Sequence, residues 1–390
     1  MPFPVWLPLL LGFLIAVGPM STDMYLPAFP AIEAAFGGRP GTAQITLATW
    51  FAGLAVGQIM QGTLADRFGR RAPLIAGTAV YTLASAGCAL APDLATLAAM
   101  RFLAAVGGSA GMVIPRAIVR DLADGHQAAR VMSRLMLVMG VAPILAPSLG
   151  GLVLGAADWH AIFWITGLYG AVCCAAAWLV LPETLPRRAR IRLGPLAMAR
   201  RYAAVVRERS FITHALILGG TSFATFAYLG GSPEVFIAQF RLAPGQYGAL
   251  FGACAAGFIA ASQINPTLLP RFGPGRLMRA GAGVAVAATA ALLALAVIGG
   301  GAWWLFGAFV WLNAASNGFT NPNATVGALS RHAAQAGSAS ALMGTMQYVL
   351  GAASGLLVGL LADGTARPMA ALMLLGAAVA AIADRLRPGR

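Results

Sequence analysis

The feature that most constrains this chain is a recurrence of apolar runs about 20 residues long, separated by short polar breaks. A run of that length crosses the hydrocarbon core of a bilayer as an α-helix, because a lone segment there must satisfy its own backbone. Such runs occupy residues 5–29, 42–63, 72–91, 94–118, 130–155, 160–182, 211–233, 245–268, 276–299, 302–325, 336–362 and 367–386. Apolar residues form 59% of the 390-residue chain and charged residues only 10%, against roughly 25% charged in a soluble domain. No soluble fold of this size buries so much apolar surface, so the bilayer must act as solvent. The first run has no basic n-region and no A-x-A site, so it reads as an uncleaved span. The expected fold class is an all-α membrane protein with 12 transmembrane helices.

Twelve spans put both termini on one side, and arginine should mark the cytoplasmic loops. The loops of one side hold 22 arginines and the opposite loops only three, Arg39, Arg241 and Arg367. Arg101 lies within a span. This alternation places both termini in the cytoplasm and explains the net charge of +14 without a nucleic-acid partner. The lipid bilayer is the partner it requires, and a monomer is expected.

Every basic residue is arginine. A chain without lysine has no P-loop and no Schiff-base chemistry, so direct ATP drive is excluded. Cys88, Cys173, Cys174 and Cys254 lie in apolar runs at spacings that fit neither a metal site nor a disulfide framework. No metal and no cofactor is expected. Gly107-Gly108-Ser109-Ala110-Gly111 matches G-x-S-x-G, but it sits inside a continuous apolar span rather than a strand–turn–helix. It reads as close helix packing, and an enzyme is not expected. A polytopic receptor would have no need of the internal repeat described next.

Leu64-Ala65-Asp66-Arg67-Phe68-Gly69 follows span two, and Leu268-Leu269-Pro270-Arg271-Phe272-Gly273 follows span eight, 204 residues later. The chain divides accordingly into a bundle at 1–185, a basic cytoplasmic linker at 186–209 with eight arginines, and a second bundle at 210–390. Parallel six-span repeats of this kind place a substrate site near the midplane between halves.

The first loop, Gly62-Thr-Leu-Ala-Asp66-Arg67-Phe-Gly69-Arg70-Arg71, resembles the loop signature of the major facilitator superfamily. The resemblance implies two six-helix bundles and a cytoplasmic latch made by Gly62, Asp66, Arg67, Gly69 and Arg70, with glycine allowing the tight turn. Further motifs follow in order: Ser21-Thr22-Asp23-Met24-Tyr25-Leu26-Pro27, Arg116-Ala-Ile-Val-Arg120-Asp121, Leu181-Pro182-Glu183-Thr184-Leu185, Ser232-Pro233, Asn321-Pro322-Asn323-Ala324 and Ala336-Gly337-Ser338-Ala339-Ser340. Together they resemble the bicyclomycin/chloramphenicol-resistance (Bcr/CflA) subfamily of drug:proton antiporters, which implies the bacterial inner membrane, protons and a small amphipathic drug-like substrate. Two positions depart from that pattern. Ala104 stands where glutamine is frequent, and Glu234 where phenylalanine is usual. Gly140, Pro143, Pro147, Gly150 and Gly151 in span five resemble the bent helix of facilitator antiporters. Prolines there would kink the helix and small residues would allow close approach.

Acids inside spans are costly, so each is a functional candidate. Asp23 lies toward the outer end of span one, between Pro19 and Pro27, where a broken helix would expose its carboxylate. Arg101 enters span four from the outer side at a compatible depth, and the two are expected to interact in proton coupling. The bland alternatives are an interfacial acid and an arginine bonded to backbone carbonyls. Glu234 is a possible second acid at the outer rim. Pocket candidates are Tyr25, Trp50, Gln58, Gln61, Phe226, Tyr228, Asn313, Asn317, Gln347 and Tyr348, although each is equally explained by interhelical packing. The expected function is drug:proton efflux by alternating access. The alternative is a dedicated proton-coupled exporter of a metabolite such as a nucleoside or amino acid.

Overall fold

The structure, a computed structural model, describes residues 6–122, 125–190, 203–330 and 336–387. Its main helices are α1 (Leu7–Asp23), α2 (Phe29–Ala35), α3 (Thr42–Phe68), α4 (Arg71–Ala89), α5 (Leu94–Leu122) and α6 (Gly125–Ala156). They continue as α7 (Trp159–Val180), α8 (Arg209–Pro233), α9 (Pro244–Ile298), α10 (Trp303–Leu329), α11 (Ala336–Leu361) and α12 (Arg367–Arg385). Residues 191–202 of the expected linker lie outside the described residues.

Ten helical segments among the described residues are long and apolar enough to cross a membrane. One of them, α9, is 55 residues long. A straight helix of that length would reach about 80 Å, far beyond a bilayer. It turns at Gly273, whose φ of 72° and ψ of 158° are the single non-helical pair within it. Two spans therefore appear where two were expected, but the connection at 269–275 is helical on both sides of one glycine. The 27-residue α10 is also long enough, although Asn313, Asn317, Asn321 and Asn323 dilute its apolarity. Twelve crossings follow. The first is longer than expected. After α1 stops at Asp23, a 3-10 turn at Leu26–Ala28 and α2 carry it to Ala35.

Helices α1, α3, α4, α5, α6 and α7 pack into one group, and α8 to α12 into another. The groups meet along α3–α11 and α6–α9. Glycine makes these contacts possible, as at other close helix crossings. A Cβ added to Gly41 would strike the carbonyl of Gly359, and one on Gly248 would meet Ser148 at about 3 Å. Gln44 Nε2 donates across the same boundary to the Gly230 carbonyl at 3.2 Å. All of these residues lie at helix ends on the face that carries few arginines. The opposite face holds Arg67, Arg70, Arg71, Arg120 and Arg187.

The Gly107–Gly111 run is interior to α5, where Ser109 Oγ donates to the Val106 carbonyl at 2.7 Å. A Cβ on Gly107 would lie 2.6 Å from the Gly77 carbonyl oxygen. The run is a packing surface: Gly107 faces α4, Ser109 faces Gly57 of α3, and Gly111 faces Leu14 of α1.

Candidate functional site

The two helix groups enclose a cavity of ≈ 340 Å³, lined by α1, α3, α5 and α6 on one side and α8 to α11 on the other. It lies deeper than the glycine contacts, toward the arginine-rich face. On α6 the wall holds Met139, Gly140 and Pro143, whereas Gly151 abuts Pro244 further along. On α8 it runs from Ser222 to Leu229, and the contact at Gly230 comes next.

Asp23 forms part of this wall. It is the last residue of α1 and is 5% exposed. The break that follows it frees the carbonyls of the last helical turn, which lack partners at any helix C-terminus. Arg101 takes one of them: its Nη1 donates to the Ser21 carbonyl at 3.0 Å. The guanidinium carbon lies 4.1 Å from the Tyr25 ring centre and 4.3 Å from that of Trp50. Such a desolvated cation–aromatic box holds a guanidinium firmly. Thr22 and Ser21 complete the shell, with Trp50 Nε1 donating to Thr22 Oγ1 at 2.9 Å and the Tyr81 hydroxyl 2.5 Å from Ser21 Oγ.

The expected contact between Asp23 and Arg101 is therefore corrected. Their depths agree, but Arg101 is bonded to backbone and caged by aromatics, while the Asp23 side chain joins the cavity wall. Arg101 Nε and Nη2 carry no hydrogen bond.

Of the other pocket candidates, Phe226, Tyr228, Asn313, Asn317 and Tyr348 line the cavity. Tyr25 and Trp50 instead enclose Arg101. Gln61 Nε2 donates to the Val106 carbonyl at 3.3 Å, an interhelical bond within one group. Gln58 and Gln347 are also absent from the wall, with Gln58 beside Gly344. Phe51, Phe251 and Phe258 line it unforeseen, because a phenylalanine inside an apolar run carries no distinguishing signal. Asn321 is the third residue of an i, i+4, i+8 row with Asn313 and Asn317, a spacing visible in the sequence.

In span five, α6 stays helical through Pro143 and Pro147. Gly150 lies directly under the Met24 carbonyl, where any Cβ would clash, and Gly151 sits against Pro244. Glu234 is off the cavity wall. It begins a π-helical turn, Glu234–Gln239, and its Oε1 accepts from Gly364 N at 3.0 Å.

The charged loop joins four helix ends. Arg70 Nη1 lies 2.6 Å from Asp66 Oδ1, and Arg70 Nε lies 2.8 Å from Asp121 Oδ2. Burial disfavours the Arg70 cation, but its bonds to Asp121 and Asp66 outweigh that and hold its pKa above the usual arginine value. Glu183 Oε1 accepts from Arg70 N at 2.8 Å and from Leu185 N at 2.9 Å. Gly69 adopts a φ of 100°, and a Cβ there would strike Glu183. Two expectations are corrected here. Gly62 is an ordinary interior position of α3 and makes no turn, and Arg67 lies over the Phe68 ring at 5.4 Å rather than in the network. Asp121 and Glu183 are the members that the loop motif alone missed. Both stand at span ends of the same face, which was their signal.

A dozen crossings, two packed helix groups and a cavity between them define a multi-pass membrane transporter of facilitator architecture. The sequence model of the Major Facilitator Superfamily matches residues 11–356, and the chain belongs to that family. It is 35% identical to the uncharacterized MFS-type transporter YdgK of Bacillus subtilis (strain 168), over 96% of this chain and 93% of that protein. It is 29% identical to the bicyclomycin resistance protein homolog of Haemophilus influenzae, over 95% of this chain and 92% of the relative. A solved bacterial homolog of the human lysosomal transporter Spinster shares the fold, with a TM-score of 0.76 at 17% identity, over 99% of this chain and 96% of that one.

Proposed function

We propose that this protein is a drug:proton antiporter of the bacterial inner membrane, working by alternating access between the halves 1–185 and 210–390. The observation that carries the reading is Asp23. It is a buried carboxylate on a cavity wall between the halves, and the wall offers no cationic side chain. A carboxylate in such a site can hold either a proton or the polar end of a substrate, which is the competition an antiporter needs. The rest of the wall is mostly apolar, with the rings of Phe51, Phe226, Tyr228, Phe251, Phe258 and Tyr348 and the amides of Asn313, Asn317 and Asn321. This suits a small amphipathic substrate that is neutral or cationic. The resistance-protein relative supports export of drugs.

With the arginine-rich face in the cytoplasm, the seal at Gly41, Gly359 and Gly248 closes the outer side and the cavity opens inward. Arg101 acts as a positioning residue. It fixes the end of α1, and with it the Asp23 carboxylate, through the Ser21 carbonyl. A susceptibility panel in an efflux-deficient host, with and without a protonophore, tests the reading. Protonophore-sensitive resistance to phenicols, bicyclomycin or dyes is expected, lost in Asp23→Asn. No change across the panel would favour a dedicated metabolite exporter instead.

A further inference from the structure

Apart from the central cavity, a groove of ≈ 520 Å³ opens on the arginine-rich face beside the charged loop. Arg71, Arg187 and Arg190 form its polar wall, with Glu183 as its one carboxylate. Glu183 is already engaged. It accepts from Arg70 N and Leu185 N and lies 3.7 Å from Arg190 Nη2. The wall therefore keeps a net positive charge. Nε of Arg71 and Nε of Arg190 are buried and carry no hydrogen bond, so neither guanidinium is fully satisfied by the protein around the groove.

The second wall is apolar, with Phe68 and Ile75 among its residues. Beyond this lining, at the end of α7, Arg71 Nη2 donates to the Trp178 carbonyl at 2.6 Å, and Leu179 is the next residue. Trp178 is 61% and Leu179 71% exposed, so both face lipid. Guanidinium donors and lipid-facing apolar side chains thus meet at the ends of the spans, the level at which headgroups lie. A free phosphate would use only the basic wall, whereas a phospholipid would use both. We propose that this groove binds the headgroup phosphate of an anionic glycerophospholipid. Its acyl chains lie along Phe68, Trp178 and Leu179, and its phosphate oxygens accept from Arg71, Arg187 and Arg190.

Native mass spectrometry of the full chain, titrated in detergent with phosphatidylglycerol or phosphatidylcholine, tests this. Preferential retention of phosphatidylglycerol is expected. Each arginine removed should weaken it about fivefold, first in Arg187→Gln and again in Arg187→Gln/Arg190→Gln. Arg187 is exposed, so the single variant keeps the test valid if the double variant fails to fold. Unchanged retention in Arg187→Gln, or equal retention of phosphatidylcholine by the native protein, would overturn the proposal. Millimolar inorganic phosphate should not displace the lipid. Displacement by phosphate alone would assign the groove to a free anion and overturn the lipid assignment.

Discussion

The two faces of this transporter are fastened by different chemistry. On the arginine-rich face, Arg70, Asp66, Asp121 and Glu183 tie together helix ends that all belong to one half. On the opposite face, the halves touch each other through Gly41, Gly359, Gly151 and Gly248, with one amide bond from Gln44. The ion pairs stiffen a half as a unit and leave the halves free to part on their side. The glycine seal is dispersion and backbone fit, strong when closed but carrying no charge pair that must be broken to open it. The two loop copies sharpen the contrast. Gly69 and Gly273 both adopt positive φ, but only Gly69 has a side chain packed against its Cα.

The largest expected effect is therefore Gly69→Ala, which combines a disfavoured φ with a clash against Glu183 and should cost about 3 kcal/mol or more. Gly273→Ala meets open space and should cost about 1 kcal/mol, backbone strain alone. Melting temperatures of the purified variants measure both, and equal losses would mean that the Glu183 contact contributes nothing.

Next comes Arg70→Ala, which leaves Asp121, whose side chain is 15% exposed, with the Thr184 hydroxyl at 3.2 Å but without its arginine, and should cost about 2 kcal/mol. Asp66, at 52% exposed, is the weaker partner, so Asp66→Ala should stay within about 0.5 kcal/mol. A double-mutant cycle of Arg70 with each acid measures the two couplings, which should rank Asp121 above Asp66.

At the seal, Gly359→Val, at a helical position whose Cβ would meet the Gly41 carbonyl at 2.7 Å, should leave the fold of each half intact but hold the halves apart at that face. Cysteine pairs or spin labels placed across it would read the change as a longer distance distribution. Gln44→Leu should shift the same distribution less, since one hydrogen bond is worth about 1 kcal/mol. No shift in either variant would show that the seal rests elsewhere.

Most of the architecture was legible because apolar run length is a direct consequence of bilayer thickness. The spans at 94–118 and 336–362 lie almost where α5 and α11 do. The repeat at Phe68-Gly69 and Phe272-Gly273 located both turns, although not the helical continuity of α9. Depth along a helix was legible too: Arg101 does reach the level of Ser21, two residues from Asp23. Direction around the helix axis was not. Asp23 ends α1, so its side chain is aimed by the break rather than by helical periodicity. Polar residues misled in the same way. Gln61 found a backbone carbonyl on α5, whereas Asn313 and Asn317, one turn apart, reached the cavity together.

Asp23 is proposed to exchange a proton for substrate. Purified protein in liposomes containing a pH-sensitive dye should report proton movement when an exported drug is added, in proportion to drug transported. Asp23→Asn, which stands for the protonated acid, should bind the drug less tightly and move no protons. Undiminished drug-evoked proton flux through Asp23→Asn would contradict the claim.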